Sequence, residues 1–303
     1  MAKDVIATSL AARDVFERVD TALGDALSKT ISSGPETDLT LTSNAQPAIL
    51  ATSCAILAAL RERLPELSAP AFAAGHSLGE YSALVAAGAL ALEDAARLVR
   101  ARGLAMQEAV PPGTGAMSAI IGVERDSLQK ICAEAACGEV VSAANFNAPG
   151  QIVIAGHAGA VARASELAVA AKGRAIPLKV SAPFHCALMA PAARALELEL
   201  ARTPIAAPAF PIVSNVDARP NADPERVRDL LVRQVCGVVR WDDGIQAMVT
   251  AGVTHAIEIG PGKVLAGLMK RIAKHVKVLS VGDAKSIDEV AAFVAGSSSA
   301  SGA

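Results

Sequence analysis

Pro70-Ala71-Phe72-Ala73-Ala74, then Gly75-His76-Ser77-Leu78-Gly79, then Glu80-Tyr81-Ser82-Ala83-Leu84-Val85-Ala86-Ala87 is the stretch whose reading decides the fold. The first five residues are an apolar run of strand length. The last eight form helix readily, and a G-x-S-x-G pattern joins the two. Strand, sharp turn and helix are the setting in which that pattern presents a serine as a nucleophile. The turn strains the serine backbone, and bulky neighbours in place of the glycines would collide with strand or helix. The Ser77 hydroxyl would then stand at a helix N-terminus, where backbone N–H groups face an oxyanion formed on an acyl substrate. The five-letter pattern alone is weak in a chain with 23 glycines, where a Gly-rich turn around a buried serine is the plain alternative. Its strand and helix neighbours favour the nucleophile.

The chain has 303 residues, enough for one large domain or a large and a small one. With 52% hydrophobic and 19% charged residues it can build a sizeable core, and disorder is not expected. A formal net charge of −2 without long runs of one sign argues against a nucleic-acid partner, as does an aromatic content of 3%. The most apolar run, Ala83 to Leu92, is too short to cross a bilayer, so no membrane partner is expected. Lys3, Asp4, Arg13 and Asp14 leave no apolar signal-peptide core at the N-terminus. Cys54, Cys132, Cys137, Cys186 and Cys236 are scattered, odd in number and without a C-x-x-C pair. They read as reduced, mostly buried thiols of a cytoplasmic protein, with Cys186 best explained as a small packing residue.

Val15, Val19, Leu23 and Leu27 mark an amphipathic helix, and Gly34-Pro35 breaks the chain. Asn44-Ala45-Gln46-Pro47 opens a long helix through Leu60 with Pro47 in its first turn, and Leu92 to Gln107 is another, ended by Pro111-Pro112-Gly113. Ala116–Val123 reads as strand, Arg125–Ala136 as helix, and Val140–Asn145 and Gln151–Ala155 as strands around Asn147-Ala148-Pro149-Gly150. Ala158–Ala171 follows as helix and Arg174–Val180 as strand. That β-α-β-β-α-β order predicts a small ferredoxin-like domain at 113–181, inserted into a large α/β domain formed by 1–112 and 182–290. Phe210–Ser214 and Ala256–Ile259 read as strands of the large domain, and 291–303 as a flexible tail ending in Ser297-Ser298-Ser299-Ala300-Ser301-Gly302-Ala303.

A serine nucleophile needs a base, and the chain has five histidines. His76 lies inside the elbow and points opposite to Ser77, which suits a structural role. His157, His255 and His275 sit in ordinary helical or loop surroundings and are expected to be solvated. His185 stands in Ser181-Ala182-Pro183-Phe184-His185-Cys186-Ala187-Leu188-Met189, a Pro-bearing loop just past the small domain, and is the candidate base.

Several blocks, in this order, now bear on the reading. They are Asn44-Ala45-Gln46-Pro47-Ala48, Gly75-His76-Ser77-Leu78-Gly79-Glu80-Tyr81, Arg102 with Met106-Gln107-Glu108-Ala109-Val110-Pro111, and Gly113-Thr114-Gly115-Ala116-Met117. Ala144-Asn145-Phe146-Asn147-Ala148-Pro149-Gly150-Gln151, Phe184-His185-Cys186-Ala187-Leu188-Met189, Gln234 and Glu258-Ile259-Gly260-Pro261-Gly262 complete the set. From about residue 3 to residue 275 the chain resembles the malonyl-CoA:acyl-carrier-protein transacylases of bacterial type II fatty acid synthesis. The resemblance implies an α/β-hydrolase-like large domain with a parallel sheet. It implies malonyl-CoA as substrate, acyl carrier protein as partner, and no bound cofactor or metal.

By the same resemblance Ser77 attacks the malonyl thioester and His185 takes and returns the proton. The imidazole is oriented by a backbone carbonyl that falls at Gln234. Arg102 holds the free malonyl carboxylate in its two-pronged guanidinium, although on sequence alone it is one surface arginine beside Arg97 and Arg100. Gln46 and Asn145 line the pocket, and the Leu78 N–H is an oxyanion donor. Phe184 fills the space beside the malonyl methylene, so malonyl is preferred over methylmalonyl. Family members begin with a hydrophobic strand and a Gly-Gln-Gly-Ser-Gln loop, whereas this sequence starts at Met1-Ala2-Lys3-Asp4-Val5. That start implies a sheet short of one strand, an oxyanion hole short of one donor, and impaired activity and solubility.

Other readings stay open at this point. A serine thioesterase or hydrolase would place an acid between serine and histidine in chain order, and no acid stands out there. A non-catalytic acyltransferase-like binding domain, or an acyltransferase domain of a polyketide synthase, would carry the same motifs. The basic residues Lys263, Lys270, Arg271 and Lys274 read more readily as a solvated helix face than as a surface for an acidic carrier.

Overall fold

The structure, a computed structural model, describes residues 1, 3–180 and 182–298. It is a mixed α/β fold with nine strands among the described residues. In chain order they are β1 Ala73–Ala74, β2 Gly115–Ile121, β3 Val141–Ala148, β4 Gln151–His157, β5 Arg174–Pro177, β6 Ile212–Val213, β7 Pro220–Asn221, β8 His255–Ile259 and β9 Lys277–Val281.

The expected elbow is present, with a shorter strand than the apolar run suggested. Only Ala73 and Ala74 pair, in parallel with Ile212 and Val213 of β6. Pro70 and Ala71 are exposed, and a proline brings no N–H to a ladder. The run Phe210–Ser214 shrinks to Ile212–Val213 in the same way, with Pro211 contributing only its carbonyl, which accepts the Ala73 N–H at 3.0 Å. The strand expected over Arg174–Val180 likewise stops at Pro177. A helix over Gly79–Ala86 leaves the elbow.

The parallel strands do not form one sheet. β1, β6 and β7 make one group, and β8 and β9, parallel to each other, make a second. β9 was not foreseen, although Val276-Lys277-Val278-Leu279-Ser280-Val281 is a short run rich in β-forming valines.

Helices Thr42–Arg63 and Leu92–Glu108 pack on the elbow helix, and Leu10–Leu23 packs on both of them, in the largest apolar cluster. The Thr42–Arg63 helix starts two residues earlier than its sequence signal, so Pro47 lies in its second turn. It is the one described helix long and apolar enough to span a membrane, and 72% of that stretch is buried inside the protein, as in a core helix. Leu50, on this helix, is fully buried. Leu50→Ala should therefore cost ~2–5 kcal/mol, through lost burial plus the cavity it leaves. A lower urea midpoint with an unchanged denaturant slope is the expected readout.

Residues 115–177 form a four-stranded antiparallel sheet in the order β3-β4-β2-β5. Helices Arg125–Ala136 and Ala158–Ala170 cover one face, through Leu128, Cys132, Val161 and Ala164 packed on Ile120, Ile152 and Ile154. β3 and β4 run closer to their turn than expected, leaving only Pro149-Gly150 between them. Gly150 there takes φ +65°, a left-handed conformation that glycine adopts without cost. The opposite face, through Met117, Ala144, Val153 and Ala155, packs on Phe184 and Cys186 beside the candidate base.

This unit is also joined to the rest by backbone. The Phe146 N–H donates to the Val239 carbonyl at 2.8 Å, and the Val239 N–H donates to the Ala144 carbonyl at 2.9 Å. Arg125 adds ion pairs to Asp242 and Asp243 and lies 4.1 Å over the Phe146 ring. Near the C-terminus Val290–Ser298 is helical, and the rest of the expected tail lies outside the described residues.

Candidate active site

The elbow geometry follows from its residues. A Cβ on Gly75 would fall 1.9 Å from the Gly79 carbonyl carbon, so no side chain fits there. Gly79 is different, because a Cβ on it would meet nothing within 4 Å. Only the first glycine is sterically required. Ser77 takes φ +51°, a region that costs a non-glycine residue of order 1–3 kcal/mol and needs support from its surroundings.

Ser77 and His185 are brought together as expected. Ser77 Oγ lies 2.7 Å from His185 Nε2, and His185 Nδ1 lies 2.8 Å from the Gln234 carbonyl oxygen. A carbonyl only accepts, so Nδ1 carries the proton and Nε2 is free to accept from the serine hydroxyl. Burial, with the nearby positive charge of Arg102 second, pushes the His185 pKa down to about 3. The resting imidazole is therefore a neutral base across the ordinary pH range. The Leu78 N–H, at the start of the elbow helix, has no acceptor among the described residues, which leaves it available to an oxyanion.

Arg102 is not a surface residue. It is 2% exposed, unlike Arg97 on the same helix. Its Nη1 donates to Gln46 Oε1 at 2.7 Å, and its Nη2 donates to Ser77 Oγ and to Gln234 Oε1, each at 3.0 Å. Its buried Nε has no hydrogen-bond partner among the described residues. Among the described residues no carboxylate forms an ion pair with it, and burial lowers its pKa. Its direct hydrogen-bond acceptors are all neutral, and the nearby Glu80 carboxyl only partly offsets its desolvation, which leaves the guanidinium short of a directly paired anion.

Sequence reasoning missed the layer beneath. The Gln234 side chain donates to the Ser77 carbonyl at 3.0 Å and to Glu80 Oε2 at 2.8 Å. Asn215 Oδ1 accepts the Ser77 N–H at 2.6 Å, and its Nδ2 donates to the Gly75 carbonyl at 2.8 Å. Glu80 is 3% exposed, and burial pushes its carboxyl up to about 7. One signal was readable: Asn215 follows a parallel strand, where α/β folds place ligand-facing residues.

The remaining candidates divide. Gln46 is in the cluster through Arg102, and Phe184 packs partly buried at its edge. Asn145 is not drawn in. It is 6% exposed on β3, and no hydrogen bond among the described residues joins its side chain to Ser77, His185 or Arg102. Asn147, two positions on, bonds His76 on the far side of the elbow, with Oδ1 2.8 Å from His76 Nε2. His76 is held there against Trp241, ring centres 5.5 Å apart, and burial lowers its pKa, which fits its structural reading. His157 is not simply solvated, since its Nδ1 accepts the Val140 N–H at 2.9 Å and ties two strands. His255 is half-buried against Phe293, and His275 is exposed. Cys186 is buried, with its thiol pushed up to about 11, as a packing residue would be. Lys263, Lys270, Arg271 and Lys274 are all exposed.

Comparison with known proteins agrees with this geometry. The family model for the acyl transferase domain matches residues 1–292. The malonyl CoA-acyl carrier protein transacylase of Escherichia coli is 49% identical over 273 residues, covering 90% of this chain and 88% of the relative. An acyl-carrier-protein S-malonyltransferase from Burkholderia pseudomallei superposes with a TM-score of 0.91 at 46% identity, covering 94% of this chain and 93% of that one. A malonyl-transacylase solved in complex with its type II polyketide acyl-carrier protein superposes with a TM-score of 0.91 at 44% identity, covering 94% and 92%. A strained elbow serine against a carbonyl-anchored histidine, within a match that runs nearly end to end, places the chain in the acyl transferase domain family.

Proposed function

We propose that this acyltransferase moves a malonyl group from coenzyme A to the phosphopantetheine thiol of an acyl carrier protein through a malonyl-Ser77 intermediate. The observation that carries the reading is the Ser77–His185 contact of 2.7 Å beside a buried Arg102 with which no carboxylate among the described residues pairs. His185 Nε2 takes the hydroxyl proton as Ser77 Oγ attacks the thioester carbonyl carbon. The Leu78 N–H donates to the oxyanion of the tetrahedral intermediate. The carbon–sulfur bond then breaks, and the proton on His185 leaves with the coenzyme A thiol. In the second half the carrier thiol gives its proton to His185 and attacks malonyl-Ser77, and Ser77 Oγ recovers a proton as it departs. Arg102 holds the malonyl carboxylate through both halves, and Phe184 borders the methylene and disfavours a methyl branch.

The finer architecture belongs to the same reading. Residues 1–112 and 182–290 make a large α/β-hydrolase-like domain, supported by the parallel β1–β6 and β8–β9 pairings. Residues 113–181 make an inserted ferredoxin-like domain, supported by the order β3-β4-β2-β5 with both helices on one face. A cytoplasmic setting suits the five free cysteines. The test is to mix the protein with malonyl-CoA and follow free thiol and carrier mass, with and without phosphopantetheinylated carrier protein. A malonyl mass gain on the carrier supports transfer. Thiol release that proceeds equally without carrier would make the protein a thioesterase, and no release would make it a binding domain.

A further inference from the structure

Both polar groups of the Ser77 peptide are held by side-chain amides, its N–H by Asn215 and its C=O by Gln234. Those two residues converge on a single atom. Glu80 Oε2 accepts from Gln234 Nε2 at 2.8 Å and from the Asn215 backbone N–H at 3.1 Å. The convergence also fixes which way the Gln234 amide points. With its NH₂ drawn to Glu80 and the Ser77 carbonyl, its Oε1 must face Arg102, which only donates. Gln234 then carries three tasks at once: its backbone holds His185, its NH₂ holds Ser77, and its Oε1 aims Arg102.

We infer that Glu80 is a positioning residue for acyl transfer: one of its carboxylate oxygens holds the Gln234 side-chain amide and the Asn215 backbone N–H, and through them the two residues that clamp the strained Ser77 peptide, while Gln234 also turns Arg102 toward the acyl carboxylate. Glu80 is buried beneath the elbow, and no reacting group reaches it. Its influence passes through Gln234 and Asn215. The inference deepens the malonyl-transfer reading and rests on it for the activity measurements, while the backbone measurement below stands without it.

The charge state of Glu80 gives the idea a second handle. Burial is the main cause that raises its carboxyl to about 7, and the hydrogen bonds from Gln234 and Asn215 oppose it. Asp217, in the loop after β6, pushes the same way as burial, and Arg102, from the helix Leu92–Glu108, pulls the other way. Tyr81, beside Glu80, is neutral, with its hydroxyl pKa pushed above the ordinary range, and His185 stays neutral with a pKa of about 3. Of the groups facing this site, Glu80 is the one that titrates near neutrality. Its ionised form accepts both N–H bonds more strongly than its protonated form.

The experiment compares wild type, Glu80→Gln and Glu80→Ala by the rate of Ser77 acylation, malonylation from malonyl-CoA and acetylation from acetyl-CoA, at pH 6 to 8.5. Hydrogen exchange of the peptide spanning residues 75–82 is measured alongside. Glu80→Gln keeps an acceptor oxygen in place. It should exchange like wild type, match wild-type malonylation at pH 6, and fall ~3–10-fold below it at pH 8.5, where wild type is ionised. Glu80→Ala should speed exchange of the elbow and lower malonylation ~10²-fold at every pH, because the clamp is released and the reacting groups drift. Its acetyl transfer should fall less, since only malonyl needs Arg102 aimed. Equal losses for the two donors in Glu80→Ala, with unchanged elbow exchange, would reduce Glu80 to a structural residue and overturn the inference. So would a limb near pH 7 that survives in Glu80→Gln. A wild type that does not malonylate at all would overturn the functional reading, and the exchange of the two variants would still decide whether Glu80 holds the elbow.

Discussion

Ser77→Ala is expected to take no label at all from labelled malonyl-CoA, and transfer to carrier protein should drop by roughly 10⁴-fold or more, because the covalent step is lost with the hydroxyl. Peptide mass mapping reads the result directly. Wild type should carry the malonyl mass on the peptide containing Ser77, and the variant should carry none. The substitution removes one atom that accepts from Arg102 and donates to His185, and the strained backbone keeps its two amide supports. The variant should therefore melt close to wild type, so that loss of activity and loss of fold are separable. Label on another residue, or label that survives the substitution, would move the nucleophile elsewhere.

Arg102→Ala should abolish selection for a charged acyl group. Malonyl transfer should fall ~10²-fold or more, the typical cost of losing a charge-assisted pair in a closed site. Transfer of acetyl and other short neutral acyl groups should hold or rise, since the space the guanidinium vacated becomes apolar. The comparison is kcat/KM for malonyl-CoA and acetyl-CoA in wild type, Arg102→Ala and Arg102→Lys. Lysine keeps the charge without the fork and should fall between the two. Matching losses for both donors would mean that Arg102 only supports the Gln46 and Gln234 side chains it touches.

What the sequence made legible was the part governed by local chemistry. The elbow was readable because glycine, serine and a strand-to-helix change coincide within a few residues, and Gly75 proves to have no room for a side chain. The four-stranded unit was readable because its elements follow one another in the order in which they pack. Strand lengths were overestimated wherever proline stood in an apolar run, at Pro70, Pro177 and Pro211, because hydrophobicity says nothing about a missing N–H. Ser77 and His185 were reached from local context, Arg102, Gln46 and the Gln234 carbonyl through resemblance, and the geometry brings them together. Asn145 was taken from a motif block, and a motif names a block without saying which of its side chains reach the site. Glu80 and Asn215 were missed because their partners are 135 and 154 positions apart in the case of Glu80, and 138 and 140 in that of Asn215. A polar network closed over such separations leaves no local pattern.

The backbone bonds between β3 and Val239 make the segment Gln234–Val239 a mechanical lever. One end carries the carbonyl that seats His185, and the other is hydrogen-bonded to Ala144 and Phe146 in the four-stranded unit. The seat of the catalytic imidazole and the anchorage of the four-stranded unit thus lie only a few residues apart on one stretch of backbone.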